Sequence, residues 1–251
     1  MQVQSFSKTG SIRDDNQDHL LVDSELRFAL IADGHGPDGR AAAMLTASTI
    51  HQRLSEIAPV TGDGESLHRL REAYELAQKA CNEQFTTQSR CDIAAAWTNR
   101  GTVAIFATGA CRLLSTQSDT SDWLEQREIE MPAHTGMSLL LTSEGTAAAL
   151  SSQQLQPALN ILIEQSDATG FEAFSQQTTA VYDGDDCSAI LLKLETADLT
   201  AGNPHEIELF EHYNREYSFK LWMPLSLAGC IGLAAVAAAI KLKPVIDRLK
   251  S

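Results

Sequence analysis

Four acidic residues in this chain each stand at the end of a short apolar run. Phe28-Ala-Leu-Ile-Ala32 runs into Asp33-Gly-His-Gly36, and Met137-Ser-Leu-Leu-Leu-Thr142 runs into Ser143-Glu144-Gly145. Asp18 precedes His19-Leu-Leu-Val22, and Asp185-Asp186 precede Cys187-Ser-Ala-Ile-Leu-Leu192. Apolar runs of this length, bounded by Gly, Asp and Ser, read as buried strands. Two of the acids follow their strand and two precede it. Antiparallel strands lying side by side would therefore bring Asp18, Asp33, Glu144 and Asp185 to one sheet edge. Uncompensated carboxylates repel, so such a cluster persists only when protonated or neutralised by cations. Hard oxygen donors suit Mg²⁺ or Mn²⁺.

The elements that must position these acids are legible from pattern. Residues 1–35 predict strand, loop, strand, strand. Asp38–Ala58 and Ser66–Gln88 predict helices with apolar residues recurring on one side. Ile93–Trp97, a turn at Asn99-Arg-Gly101 and Val103–Phe106 predict a hairpin. Arg112–Leu114 extends its second strand or forms a third, and Ser115–Asp122 predicts loop. Ser151–Ser166 predicts a helix, a weaker one follows near Phe171, and a strand at 187–194 closes the domain. Strands are mixed with paired helices, without regular β–α alternation, which is the pattern of an α+β fold.

The chain has 251 residues, enough for one domain of about 195 residues plus an appendage. At 43% hydrophobic and 21% charged it is globular in composition, and a net charge of −14 argues against a nucleic-acid partner. Five cysteines form no CxxC pair; in apolar context they predict buried reduced thiols and a reducing compartment. Residues 196–220 predict a polar linker with a short helix. Residues 221–240 carry no charge over twenty positions, the length that crosses a bilayer, and Tyr217 and Trp222 stand where interfacial aromatics are expected. A buried core helix is the other reading of that segment. Residues 241–251 form a basic tail. Its charge favours a cytoplasmic tail, whereas the absent signal peptide and free thiols favour a cytoplasmic domain. The expectation adopted is a single-pass membrane protein with its domain in the cytoplasm.

Two local motifs have other meanings. Gly34-His-Gly36-Pro-Asp-Gly39 matches the dinucleotide-binding glycine pattern, but a second helix follows where that fold requires a strand. Asp14-Asp-Asn16-Gln-Asp18 with Glu25 resembles a calcium loop, but His19 stands at its glycine position and strands flank it.

A third pattern covers residues 1–194. Gly10-Ser-Ile-Arg13-Asp-Asp-Asn16-Gln-Asp18, then Asp33-Gly-His-Gly36, then Ser143-Glu144-Gly145, then Asp185-Asp-Cys-Ser188 before an apolar strand resembles the metal-dependent protein phosphatases of type 2C. The resemblance implies two antiparallel sheets packed as a sandwich between helix pairs. It implies that Asp33 bridges two Mg²⁺ or Mn²⁺ ions, with the Gly34 carbonyl on one and Glu144 and Asp185 on the second. Asp18 would act through metal-bound water. Arg13 matches a phosphate-binding arginine, and His35 a general acid for the leaving seryl or threonyl oxygen. The implied partner is a phosphoprotein, such as a cognate serine/threonine kinase or its targets. The chain departs from the family pattern in three places. Glu144 stands where the family has Asp, Ala110 where a carboxylate helps hold a third metal, and Asp92–Trp97 lacks the usual G-T-T. Besides an active phosphatase, the sequence therefore admits a catalytically impaired phosphopeptide-binding scaffold, or another carboxylate-metal hydrolase.

Overall fold

The computed structural model describes residues 1–195, apart from positions 13, 57–64, 86–87, 100, 117–122, 151–156, 158, 161, 163–167 and 183. The expected membrane span at 221–240, its linker and tail, and Arg13 thus lie outside the described residues. So does most of the helix expected over Ser151–Ser166. Among the described residues no helix is long and apolar enough to cross a membrane.

The strands are β1 (Gln2–Lys8), β2 (Asp18–Asp23), β3 (Phe28–His35), β4 (Arg90–Asn99), β5 (Thr102–Ala107), β6 (Arg112–Thr116), β7 (Trp123–Gln126), β8 (Glu128–Pro132), β9 (Ser138–Thr142) and β10 (Cys187–Lys193). The helices are α1 (Gly39–Glu56), α2 (Glu65–Gln84), α3 (Glu144–Leu150) and α4 (Ala168–Val181). One sheet runs β2-β3-β4-β5-β8 and the other β1-β10-β9-β6-β7, with antiparallel neighbours throughout.

Side chains alternate between the two faces of a strand, and that alternation sorts the core into three layers. From β3, Ala29 and Ile31 join Ala94, Ala96, Ile105, Leu139, Leu141, Ile190 and Leu192 between the sheets. Phe28, Leu30 and Ala32 turn the other way, against Ile50 and Leu54 of α1 and Leu70 of α2. Across the sandwich Leu140 and Leu191 turn outward to meet Phe174 of α4. Because β3 is covered on both faces, it reads as an unbroken apolar run and not as an alternating one. Each fully buried Phe, Leu or Ile among them contributes about 1.5–3 kcal/mol. The result is the expected α+β sandwich between helix pairs.

The boundaries moved in instructive places. Arg112–Leu114 does not prolong the hairpin; β6 crosses to the other sheet and pairs with β9. Ser115 and Thr116 belong to that strand and not to a loop. β7, β8 and α3 had no counterpart among the expected elements. Cys81, Cys91, Cys111 and Cys187 are buried and free, as expected; Cys230 lies outside the described residues.

Candidate metal centre

Alternation also aims the acids. Asp33 shares the parity of Ala29 and Ile31, so its carboxylate enters the space between the sheets. Asp18 is its cross-strand partner on β2, and Asp92 its partner on β4. Three carboxylates therefore stand in one row across three neighbouring strands. On the facing sheet Leu139 and Leu141 lead to Ser143, and Ile190 leads back to Ser188 and Asp186, so these groups cap the same space.

Asp33 is 5% exposed. Its Oδ2 accepts the backbone N–H of Glu144 at 2.8 Å, tying the first strand set to the start of α3 across 111 residues of chain. Ligand-type atoms of Asp33, His35 and Glu144 lie within 4.8 Å of one another. Burial pushes the Asp33 carboxyl up to about 6; His35 and the Glu144 N–H pull it down, while the charges of Asp185 and Glu144 push it up. Asp18 is pushed further, to about 8, first by burial and then by the charge of Asp33. Both Asp18 oxygens are buried and have no hydrogen-bond partner among the described residues. The Ser188 and Ser143 hydroxyls lie near enough to lower its pKa without reaching hydrogen-bond geometry. Ser188 Oγ contacts Ser7 Oγ at 2.7 Å, and Ser143 Oγ donates to the Asp186 carbonyl at 3.4 Å. A buried carboxylate with nothing to satisfy either oxygen is a costly arrangement unless a cation joins it. The carboxylates of Asp18, Asp33 and Glu144, with the His35 imidazole beside them, form an oxygen-rich donor set that fits Mg²⁺ or Mn²⁺.

Glycine is required where β3 runs past the end of β2. A Cβ on Gly34 would strike the carbonyl of Gly39, and the Gly34 N–H donates to the Gln17 carbonyl at 3.3 Å. The two strands that carry Asp18 and Asp33 are thereby held together at the site. Of the sequence-predicted residues, Asp18, Asp33, Gly34, His35 and Glu144 come together at this edge. Asp185, in the turn before β10, acts electrostatically on Asp33. Arg13 is not among the described residues.

Asp186 was not among the sequence-predicted site residues. It is 3% exposed, and its carboxylate accepts the N–H of Gly10 at 2.9 Å and of Gln17 at 2.7 Å. It ties the Gly10–Asp18 loop to the end of β10, so its work is to hold that loop in place. Asp92 was missed altogether. Its Oδ2 lies 3.3 Å from His35 Nε2, whereas Asp33 Oδ1 lies 3.7 Å away. The contact with Asp92 raises the His35 pKa, and the same contact holds Asp92 below its ordinary value.

No family model and no curated relative matches the sequence. Solved structures do match the fold. The serine/threonine phosphatase PstP/Ppp of Mycobacterium tuberculosis superposes with a TM-score of 0.62 at 15% identity, covering 77% of this chain and 98% of that one. The PPM Ser-Thr phosphatase MsPP of Mycobacterium smegmatis, solved with cacodylate, gives 0.62 at 14% identity, again over 77% and 98%. A catalytic domain of the serine threonine protein phosphatase PstP, solved with 2 manganese ions, gives 0.63 at 15% identity over 77% and 98%. This chain has the fold of the PPM serine/threonine phosphatases, over essentially the whole length of those structures.

Proposed function

We propose that this protein is a metal-dependent phosphatase acting on phosphoserine and phosphothreonine in proteins. The observation that carries the proposal is Asp18. Its two buried, unsatisfied oxygens sit in register beside Asp33, at the edge of a PPM-type sandwich where Glu144 and Asp185 converge. Asp33, Glu144 and Asp185, with the Gly34 carbonyl, would hold the ions, and Asp18 would act through water bound to them. A Mg²⁺ or Mn²⁺ pair, when bound, supplies an acidified water able to attack phosphorus at neutral pH. Arg13 is assigned to the phosphate oxygens, which its planar fork fits in pairs. His35 is assigned to protonate the leaving oxygen. Residues 221–240 are assigned as a membrane tether, with the domain on the cytoplasmic side and phosphoproteins, a kinase or its targets, as substrates.

The test is phosphate release from a phosphoserine peptide by the full chain, with and without Mn²⁺. Turnover is expected to need the metal and to fall by roughly 10³-fold or more in Asp33→Asn, the worth of several kcal/mol of charge stabilisation. The impaired-scaffold reading is favoured by Glu144, one methylene longer than the Asp of the family pattern, and by Ala110, which stands where that pattern has a carboxylate. Wild type that binds the phosphopeptide without turning it over, and gains turnover in Glu144→Asp, would establish that reading instead.

A further inference from the structure

Two arginines have no part in the scheme above, and both stand over one turn. Arg112 opens β6, and Arg127 lies between β7 and β8. Alternation on β6 sends Cys111 and Leu113 between the sheets, so Arg112 points out of the sandwich. Both guanidinium groups converge on the turn before β6. Arg127 Nη1 donates to the Gly109 carbonyl at 2.9 Å. Arg112 Nη1 donates to the Ala110 carbonyl at 3.1 Å and reaches the Gly109 carbonyl at 3.5 Å. They also share an acid. Glu125 Oε1 lies 3.1 Å from Arg112 Nε and 3.2 Å from Arg127 Nε. One carboxylate between two guanidinium groups leaves a positive charge unbalanced, and like charges held this close repel until a second anion joins them. The three side chains are 32–47% exposed, so a ligand in solution can reach them.

The turn sets this pair beside the metal centre. Gly109 holds a φ of +56°, and a Cβ there would collide with the Asp92 carboxylate. The Ala110 N–H donates to the same carboxylate. Asp92 is in register with Asp33 on the next strand, and its Oδ2 lies 3.3 Å from His35 Nε2. Arg112 is in register with Thr142, two residues before Glu144. The turn therefore has the acids of the centre against one side and the two arginines against the other. In a chain of net charge −14, this is a patch of the opposite sign next to a cluster of carboxylates.

We propose that Arg112 and Arg127 form an anion subsite at the rim of the metal centre, which takes an acidic side chain or a second phosphate group flanking the phosphoserine of the substrate. The identity of the substrate rests on the phosphatase reading. Guanidinium forks fit carboxylate and phosphate oxygens alike. The subsite acts on binding, so its effect belongs to KM more than to kcat. Because the pair is exposed, salt screens it.

The test uses phosphoserine peptides that differ only in the flank: neutral, two aspartates, or a second phosphoserine. With the full chain, Mn²⁺ and low ionic strength, kcat/KM for an anionic flank should exceed that for the neutral one by about fivefold or more. The ratio should fall below about twofold in about 0.5 M NaCl. It should fall as far in Arg127→Gln, and in Arg127→Glu it should invert toward a flank of two lysines. A gain confined to the doubly phosphorylated peptide supports the subsite as one for phosphate; a gain with aspartates as well supports it as one for anions generally. Wild type without a preference, or a preference that survives in Arg127→Gln, would overturn the proposal. So would equal losses on every peptide, the mark of a purely structural arginine. If wild type turns over none of the peptides, the phosphatase reading fails; the same ratios, read as Kd by fluorescence anisotropy, still decide the subsite.

Discussion

Asp18→Asn should make the metal-free protein more stable, although it removes a residue assigned to the centre. The folded-state Asp18 carboxyl is pushed from 3.8 to about 8, mainly by burial. Between those two values the folded chain holds a proton that the unfolded chain has released. Folding stability therefore falls as pH rises from about 4 to about 8. Asp33, raised to about 6, adds to the same slope over its lower half. About four units at 1.36 kcal/mol each sets a ceiling near 6 kcal/mol for Asp18 at pH 8. Relaxation and water penetration reduce this to about 2–4 kcal/mol. Asn is neutral and nearly isosteric, and its amide can donate to the Ser143 and Ser188 hydroxyls, so it escapes most of that cost. For a domain of this size the gain corresponds to roughly 5–10 °C in Tm. The assay is thermal unfolding of the full chain in EDTA from pH 5 to pH 8.5. Wild type should lose Tm as pH rises, and Asp18→Asn should flatten the slope. Mn²⁺ should restore wild type most strongly at the alkaline end, because ligands must be deprotonated to bind. A variant no more stable than wild type at pH 8, or wild-type stability that climbs through this window, would refute the reasoning.

Two further substitutions probe the frame around the centre. Asp186→Ala leaves the Gly10 and Gln17 N–H groups without their buried acceptor and should cost about 2–4 kcal/mol in urea unfolding; an unchanged midpoint would show that the loop does not depend on it. Gly34→Ala drives a methyl into the Gly39 carbonyl and should cost more than about 3 kcal/mol. Near-wild-type unfolding with normal circular dichroism would mean that the β3–α1 turn relaxes freely.

The sequence shows the fold best where one residue pattern permits one structure. The run from Phe28 to Ala32 could only be a strand covered on both faces, and the Ala-rich segment after Gly39 only a helix. The four acids at strand ends foretold a convergence, but at one edge of one sheet; they sit instead on two facing sheets, Asp18 and Asp33 on β2 and β3, Glu144 and Asp185 beside β9 and β10. What stayed hidden has a physical cause in each case. The helix that starts at Glu144 is seven residues long, too short to display a 3.6-residue period. β7 and β8 lie at sheet edges, where half-exposed polar residues blur the alternation. The switch of β6 to the other sheet depends on partners some thirty residues away, such as Thr142 opposite Arg112. Asp186 looked like its solvated neighbours, since nothing local reveals that two distant N–H groups will close over it. Asp92 was obscured in the same way: an acid at the polar start of a strand resembles any strand boundary until a histidine from β3 is set diagonally across from it.

The bond from the Glu144 N–H to Asp33 spans two layers as well as 111 residues of chain. Neither half of the sandwich owns a complete set of donors. Closing so long a loop comes late in folding, after the local hairpins have formed. A nascent or half-assembled chain therefore cannot capture a divalent ion in its finished geometry, and metal uptake becomes a report that both layers have docked.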